Sequence, residues 1–202
     1  MLDADFFRRW IAAAAASVGR EADHLTALDS AIGDADHGSN MQRGFKAVTA
    51  ALERDDPGTP GQILMLVGRT LISTVGGASG PLYGTLLRRT GKALGDAAEV
   101  SEEQLAEALR AGVDAVMQLG GAAPGDKTMI DTLVPAVDAL GGGFAAARAA
   151  ADEGALATIP LQARKGRASY LGERSIGHQD PGATSSALLV AALEEASGSG
   201  DE

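Results

Sequence analysis

The sequence predicts an all-α fold built as one domain, and three observations support this prediction. The length of 202 residues suits a single hydrophobic core. Apolar residues recur with helical spacing along most of the chain, for example at Leu105, Leu109 and Val113. Alternating patterns typical of strands are nearly missing, and a hydrophobic fraction of 45% argues against disorder over most of the length.

Start and stop signals divide this pattern into about eight helices. Ser101, Asp126 and Asp180 are typical of residues that cap helix starts. The first two predicted segments can be one continuous helix, and residues 197–202 are expected to fray. The predicted stops are Gly95, Gly120 and Gly141. The predicted helices span 2–19, 21–30, 39–54, 60–75, 81–94, 101–119, 127–140, 144–158 and 181–196.

Composition and charge exclude several classes of function. The formal net charge of −10 argues against a nucleic-acid partner, because binding to a polyphosphate requires clustered cations. The absence of cysteine excludes disulfides and thiolate metal sites. The N-terminus starts acidic, unlike a signal peptide, and the alanine run 12–16 is too short to cross a bilayer. We therefore expect a cytoplasmic protein with no membrane partner.

Three aspartates form the most informative loop. Asp29, Asp34 and Asp36 lie within eight residues, and carboxylates this close repel each other unless a cation lies among them. Oxygen ligands favour Mg²⁺ or Ca²⁺, and Phe45 stands where a calcium-binding EF-hand loop requires glutamate. Magnesium held by few carboxylates is typical of phosphate chemistry. The alternative is a solvated acidic turn.

Two further loops carry groups that bind phosphate. Residues 76–81 are rich in glycine and open a predicted helix, whose free backbone N–H groups suit an anion. The loop matches neither a Walker A motif nor a dinucleotide fingerprint, and a tight turn between helices is the alternative. The densest basic patch includes Arg164, Lys165, Arg167 and Arg174, which suit phosphate oxygens or form a solvated loop. No hydrolase triad is indicated.

Four segments together resemble the L subunit of dihydroxyacetone kinase, and the resemblance spans nearly the whole chain. The segments are Ile32–Gly38, Gly76–Pro81, Pro124–Met129 and Ala163–Thr184. The resemblance implies an eight-helix antiparallel up-and-down barrel with a nucleotide site at one end. It implies that Asp29, Asp34 and Asp36 hold two Mg²⁺ ions and that Arg167 is catalytic. The residues that it places around tightly bound ADP or ATP are His37, Gly38, Ser39, Asn40, Ala78, Ser79, Gly120, Met129, Arg167, Asp180, Pro181 and Gly182.

The resemblance also implies a reaction and two partners. A phosphohistidine protein of the phosphotransferase system phosphorylates the bound ADP. The phosphate then passes to dihydroxyacetone on a separate K subunit and gives dihydroxyacetone phosphate. Three points stay open at this stage: a homodimer, a non-catalytic nucleotide sensor, and a nucleotide subunit of a split ATP-dependent kinase.

Overall fold

A computed structural model describes residues 1–198, and these residues are mainly helical. Two very short strands, β1 (Leu2–Asp3) and β2 (Glu99–Val100), pair antiparallel beside the N-terminus. Turns of 3-10 helix span Leu140–Gly142 and Arg167–Ser175. The α-helices of the described part are α1 (Ala4–Ile32), α2 (His37–Asp55), α3 (Pro60–Thr74), α4 (Ser79–Leu94), α5 (Glu102–Gly120), α6 (Ile130–Ala139), α7 (Phe144–Ala157) and α8 (Pro181–Gly198).

The eight helices form a closed ring. Each helix packs against the next along the chain, and α8 returns to pack against α1. Large apolar side chains fill the interior, and buried Trp10 of α1 donates a hydrogen bond from Nε1 to the carbonyl oxygen of Leu189 in the neighbouring α8 at 2.9 Å. This ring confirms the predicted helical barrel. Within residues 1–198 no helix is both long and apolar enough to cross a membrane.

The observed boundaries correct several predictions. The first two predicted segments form one helix, α1. Helix α6 begins at Ile130 rather than at Lys127, because Lys127 adopts a left-handed φ of 63°. The predicted cap Asp126 instead accepts a hydrogen bond from the backbone N of Ala123. The carboxylate of Asp131 holds the turn before α6, accepting from the backbone N of residues 125 and 128.

Other predicted boundaries agree with the structure. Ser101 forms a capping box with Gln104, and the Asp180 carboxylate accepts from the backbone N of Ala183 at 2.7 Å. Gly95 caps the end of α4, whereas Gly120 is the last residue of α5 and Gly121 caps it. Helix α8 extends through residue 198, into the tail predicted to fray, and residues 199–202 lie outside the described residues.

Glycines bring α3 and α4 into close contact. A Cβ added at Gly91 would lie 2.6 Å from the carbonyl oxygen of Gly61 and 2.9 Å from the backbone N of Met65. Both obstacles are backbone atoms, which cannot rotate away. The same contact recurs between Gly68 and Gly84. These glycines therefore set the spacing of the two helices. Helix α4 begins at the end of the barrel that carries the candidate site.

Gly91→Ala should lower the free energy of unfolding by about 1–3 kcal/mol, because the added methyl overpacks this contact. Gly19→Ala is the matched control, since no atom lies within 4 Å of a Cβ built at this position in α1. It should raise stability by up to about 1 kcal/mol through helix propensity alone. Urea unfolding measures both, and equal effects of the two substitutions would contradict the proposed role of the close contact.

Candidate functional site

An open cavity of about 650 Å³ lies at one end of the barrel. Alternate joints of an up-and-down ring fall at the same end. The cavity lies where the joints α1–α2, α3–α4, α5–α6 and α7–α8 meet, and all four contribute lining residues. The cavity lining combines acidic residues, here called its charged half, with apolar residues that include Leu82, Val116, Leu119 and Ile130, here called its apolar half.

Most of the predicted site residues line this cavity, although they are scattered over 154 positions of sequence between 29 and 182. Gly38 and Ser39 are the two that do not. Gly38 is buried against α1, where an added Cβ would lie 1.8 Å from the carbonyl oxygen of Ala22. Ser39 donates from Oγ to the carbonyl oxygen of Asp36 at 2.9 Å. Those that line it are Asp29, Asp34, Asp36, His37, Asn40, Ala78, Ser79, Gly120, Met129, Arg167, Asp180, Pro181 and Gly182.

The three aspartates converge although they come from α1 and the loop after it. One carboxylate oxygen from each lies within 4.8 Å of those of the other two, which is close enough to share a cation. Buried Asp29 organises the loop, because its Oδ2 accepts from the backbone N of Asp36 at 2.9 Å and of His37 at 3.1 Å. Between the other two, Ala35 has a left-handed φ of 62°. The loop keeps this strained conformation at the point where the carboxylates meet.

Arg167 lies over the aspartates. Its Nε is 2.9 Å from Oδ2 of Asp34, and both side chains keep access to solvent. An exposed ion pair contributes little stability. Asp34 can therefore bind a metal ion, and Arg167 an anion, at a small cost in free energy. The structure therefore brings the predicted catalytic arginine and a predicted metal ligand into direct contact.

Helix N-termini supply a second kind of group at this end. Within residues 1–198, the N-cap residues of α2 and α4, which begin at the cavity, make no side-chain hydrogen bond to the first turn, although Asp29 accepts from the backbone N of His37. Side chains of Asp3, Thr59 and Ser101 cap α1, α3 and α5 at the far end of the barrel, where α7 has no such cap, and Asp180 caps α8 at the cavity. Uncapped N-termini leave backbone N–H donors and the positive ends of helix dipoles free for an anion.

A buried hydrogen-bond chain links the N-terminal parts of α2, α4 and α8 beside the cavity. His37 Nε2 lies 2.8 Å from Ser185 Oγ, and its Nδ1 lies 3.2 Å from Ser79 Oγ. The hydroxyl of Tyr83 lies 2.6 Å from Ser185 Oγ. Burial lowers the pKa of His37, although the negative charges of nearby aspartates act in the opposite direction. Burial also raises the pKa of Tyr83 to about 12. This hydrogen-bond chain fixes the Ser79 hydroxyl at the cavity through uncharged groups.

Sequence patterns did not reveal Tyr83 or Ser185, because each is hydrogen-bonded to a residue more than 100 positions away along the sequence.

Asp180 is a second buried carboxyl of the site, besides Asp29. Burial raises its pKa to about 7, although the backbone N of Ala183 and the nearby Lys127 ammonium act in the opposite direction. Its ordinary value is 3.8, so between these two values the folded protein holds a proton that the unfolded chain releases. The contribution of Asp180 to stability is therefore present below its ordinary pKa and is lost as the pH rises through about 7.

Asp180→Asn should make the melting temperature fall less between pH 5 and pH 8, because asparagine still caps α8 but does not ionise. The pH-dependent loss of unfolding free energy that wild type shows and Asp180→Asn does not should reach about 4 kcal/mol at most, at about 1.4 kcal/mol per pKa unit. Calorimetry across this range measures it, with exposed Asp114→Asn as the control. Parallel pH profiles for wild type and Asp180→Asn would show that Asp180 ionises normally in the folded protein.

The fold and the cavity define a class of protein: a helical barrel with clustered carboxylates, free backbone amides and an arginine at one end. Residues 31–195 match the family model described as the DAK2 domain. The chain belongs to the DAK2 domain family, because that match covers most of its length.

Curated relatives and solved structures agree with this assignment. The chain is 46% identical over 194 residues to the ADP-binding subunit DhaL of the PEP-dependent dihydroxyacetone kinase of Escherichia coli strain K12, covering 91% of this chain and 92% of that one. It is 40% identical over 181 residues to the L-erythrulose 1-kinase of Mycolicibacterium smegmatis, covering 85% of this chain but 32% of that one. The crystal structure of the dihydroxyacetone kinase from C. freundii in complex with AMP-PNP and Mg²⁺ superposes with a TM-score of 0.74 at 30% identity. That match covers 92% of this chain and 33% of the solved one.

Proposed function

We propose that this chain is the nucleotide-holding subunit of a dihydroxyacetone kinase that takes its phosphate from the phosphotransferase system. One observation carries the proposal: three carboxylates, two helix N-termini without a side-chain cap from their N-cap residue, and Arg167 meet at one cavity. The similarity to ADP-binding subunits over nine tenths of both chains supports it. In this proposal ADP is a retained coenzyme that is recharged to ATP in place.

The charged half of the cavity accounts for the phosphates. Asp29, Asp34 and Asp36 would hold two magnesium ions through hard oxygen ligands, and the ions would supply positive charge to neutralise the phosphates. The free N–H groups at the starts of α2 and α4, with the Ser79 hydroxyl, receive the remaining phosphate oxygens. Arg167 then balances the charge that moves during transfer. Such a site works by positioning and charge neutralisation.

The apolar half of the cavity suits the nucleoside. Leu82, Val116 and Leu119 offer a surface for a flat base, and Gly120 and Met129 border the same wall. Because the nucleotide occupies this cavity, the ketone must be held by another protein. The proposed partners are therefore a K subunit that binds dihydroxyacetone and a phosphohistidine protein that supplies the phosphate.

One alternative substrate is favoured by a specific observation. The chain is 40% identical to an L-erythrulose 1-kinase, so the same nucleotide module serves another ketose in that relative. In the proposed assembly the K subunit alone decides the substrate. A nucleotide sensor without turnover and an ATP-dependent split kinase are the remaining alternatives.

Reconstitution distinguishes these functions. The purified chain is mixed with the K subunit and the phosphohistidine protein encoded by the same genome, and transfer of labelled phosphate to dihydroxyacetone or erythrulose is measured. We expect dihydroxyacetone phosphate to form from the phosphohistidine donor at catalytic amounts of this chain, without added ATP. Turnover that requires stoichiometric ATP would favour the split kinase, and no turnover with either donor would favour the sensor.

A further inference from the structure

The basic loop, residues 160–177 between α7 and α8, closes on itself at a narrow neck. At the neck, the backbone N of Gly177 donates to the carbonyl oxygen of Ile159 at 2.8 Å. Beside it, the backbone N of Asp180 donates to Thr158 Oγ1 at 3.0 Å. The two ends of the loop are therefore neighbours, as in the compact Ω-loops of other proteins. Arg167 lies on this loop.

Lys127 reaches this neck from the joint between α5 and α6. Its side chain is buried, with 1% of the residue exposed. Its ammonium donates to the carbonyl oxygen of Thr158 at 2.7 Å and, more closely still, to that of His178. The carbonyl oxygen of Ile159 is 3.5 Å away. One ammonium thus holds both ends of the basic loop at once.

The surrounding backbone supports the same contact. Lys127 has a left-handed φ of 63°, which is unfavourable for a residue with a side chain. The preceding residue, Asp126, accepts a hydrogen bond at its carbonyl oxygen from the backbone N of Arg164 at 3.1 Å. A buried cation and a strained backbone are both costly, and a lysine that served only solubility would need neither.

We infer that Lys127 is the positioning residue of the basic loop: by tying its neck to the α5–α6 joint, it holds Arg167 over the aspartates. The inference rests on the proposed function only in the role given to Arg167. Lys127 borders the cavity, but its ammonium is directed at carbonyl oxygens of the neck, so we assign its action to the loop rather than to the phosphates.

The body of the loop has contacts of its own. Ala163 and Ala168 pack against Ile32, next to the aspartate loop, and buried Ser175 Oγ accepts from the backbone N of Ala163 while donating to the carbonyl oxygen of Gly172. These contacts do not involve Lys127. Losing the ammonium should therefore loosen the neck and shift the loop without unfolding the barrel.

Hydrogen exchange and a double-mutant cycle test the inference. Lys127→Met keeps the apolar stem and removes the ammonium, and it should increase amide exchange in 158–178 while α1 to α4 exchange as before. It should slow phosphate transfer by about 10–100-fold when Arg167 is present, since small displacements of positioned groups have effects of this size. In an Arg167→Ala background the same substitution should slow transfer less than about twofold, because no positioned arginine is left to lose.

A chemical rescue separates the ammonium from the bulk of the side chain. The chain contains no cysteine, so Lys127→Cys creates a unique thiol. Alkylation with 2-bromoethylamine under mild denaturation restores a side chain of nearly lysine length with its positive charge, and alkylation with iodoacetamide gives a neutral control. Only the amine product should restore slow exchange in 158–178 and fast transfer.

Each outcome decides the inference. Unchanged exchange in 158–178 after Lys127→Met, or equal rescue by the neutral adduct, would overturn it. Faster exchange with additive effects of Lys127→Met and Arg167→Ala on transfer would also overturn it, since the loop would then not act through Arg167. If the wild-type chain transfers no phosphate, the proposed function fails, and the exchange and rescue data alone decide whether Lys127 holds the loop.

Discussion

Replacing Asp36 by asparagine should weaken magnesium-dependent retention of nucleotide by about 100-fold or more. The substitution removes one anionic oxygen from a set of three that lie within 4.8 Å of one another. Losing even a residue that supports a metal ligand typically costs 10–100-fold in affinity, so losing a ligand should cost at least about the upper value. Asp34→Asn should act in the same direction, and it also frees Arg167 from its ion pair.

Equilibrium dialysis of ADP at fixed Mg²⁺ measures this effect, with magnesium content determined on the same samples. Asp23→Asn is the matched control, since it removes one exposed carboxylate of α1 that does not line the cavity. The folds of all three variants should survive. Without metal, Asp36→Asn should be as stable as wild type or more so, because it relieves repulsion. Unchanged nucleotide affinity in both loop variants would exclude the aspartates as the metal site.

Arg167→Ala should slow phosphate transfer by about 1000-fold in both directions, from the phosphohistidine donor to ADP and from ATP to the ketone. Arginines that stabilise the transferring phosphoryl group contribute about 10³–10⁵ in rate in related chemistry. The two half-reactions use one phosphate position, so both should depend on the same guanidinium. Single-turnover transfer of labelled phosphate, with nucleotide occupancy measured in parallel, reports the effect.

Two variants of the same loop serve as controls for Arg167. Arg167→Lys should recover only part of the rate, because an ammonium cannot reproduce the planar fork. Arg174→Ala removes a charge from a residue of the loop that does not line the cavity, and should leave the rate unchanged. A loss confined to one half-reaction, or equal losses in Arg167→Ala and Arg174→Ala, would contradict the proposed role.

The parts of this structure that the sequence predicts are local ones. Helical periodicity and the capping residues Ser101 and Asp180 predict most helices, because these signals act within one turn. The crowding of three aspartates within eight residues predicts a cation site for the same reason. The prediction fails at Lys127, where a left-handed backbone delays α6 by three residues. That conformation is stabilised by carbonyl groups of a distant loop, which a local pattern does not reveal.

The closure of the ring and the buried polar chain are long-range properties. Nothing in the spacing of α8 predicts that it packs against α1, and the barrel follows from the family resemblance rather than from periodicity. Gly38 shows a related difficulty. The family resemblance places it at the nucleotide, and the structure shows in addition that close packing against Ala22 leaves no room for a side chain at this position. Short glycine-rich motifs carry both kinds of requirement, and only the contacts separate them.

The central claim is that this chain retains a magnesium-bound nucleotide on the aspartate cluster. Mass spectrometry and metal analysis of the purified, undialysed protein test it most directly, with the melting temperature measured before and after stripping by EDTA. We predict about one ADP and about two magnesium ions per chain, and a fall of several degrees on stripping, because a ligand that binds only the folded state stabilises it. Protein that carries no nucleotide, takes up no ADP with Mg²⁺ and melts at one temperature throughout would contradict the claim.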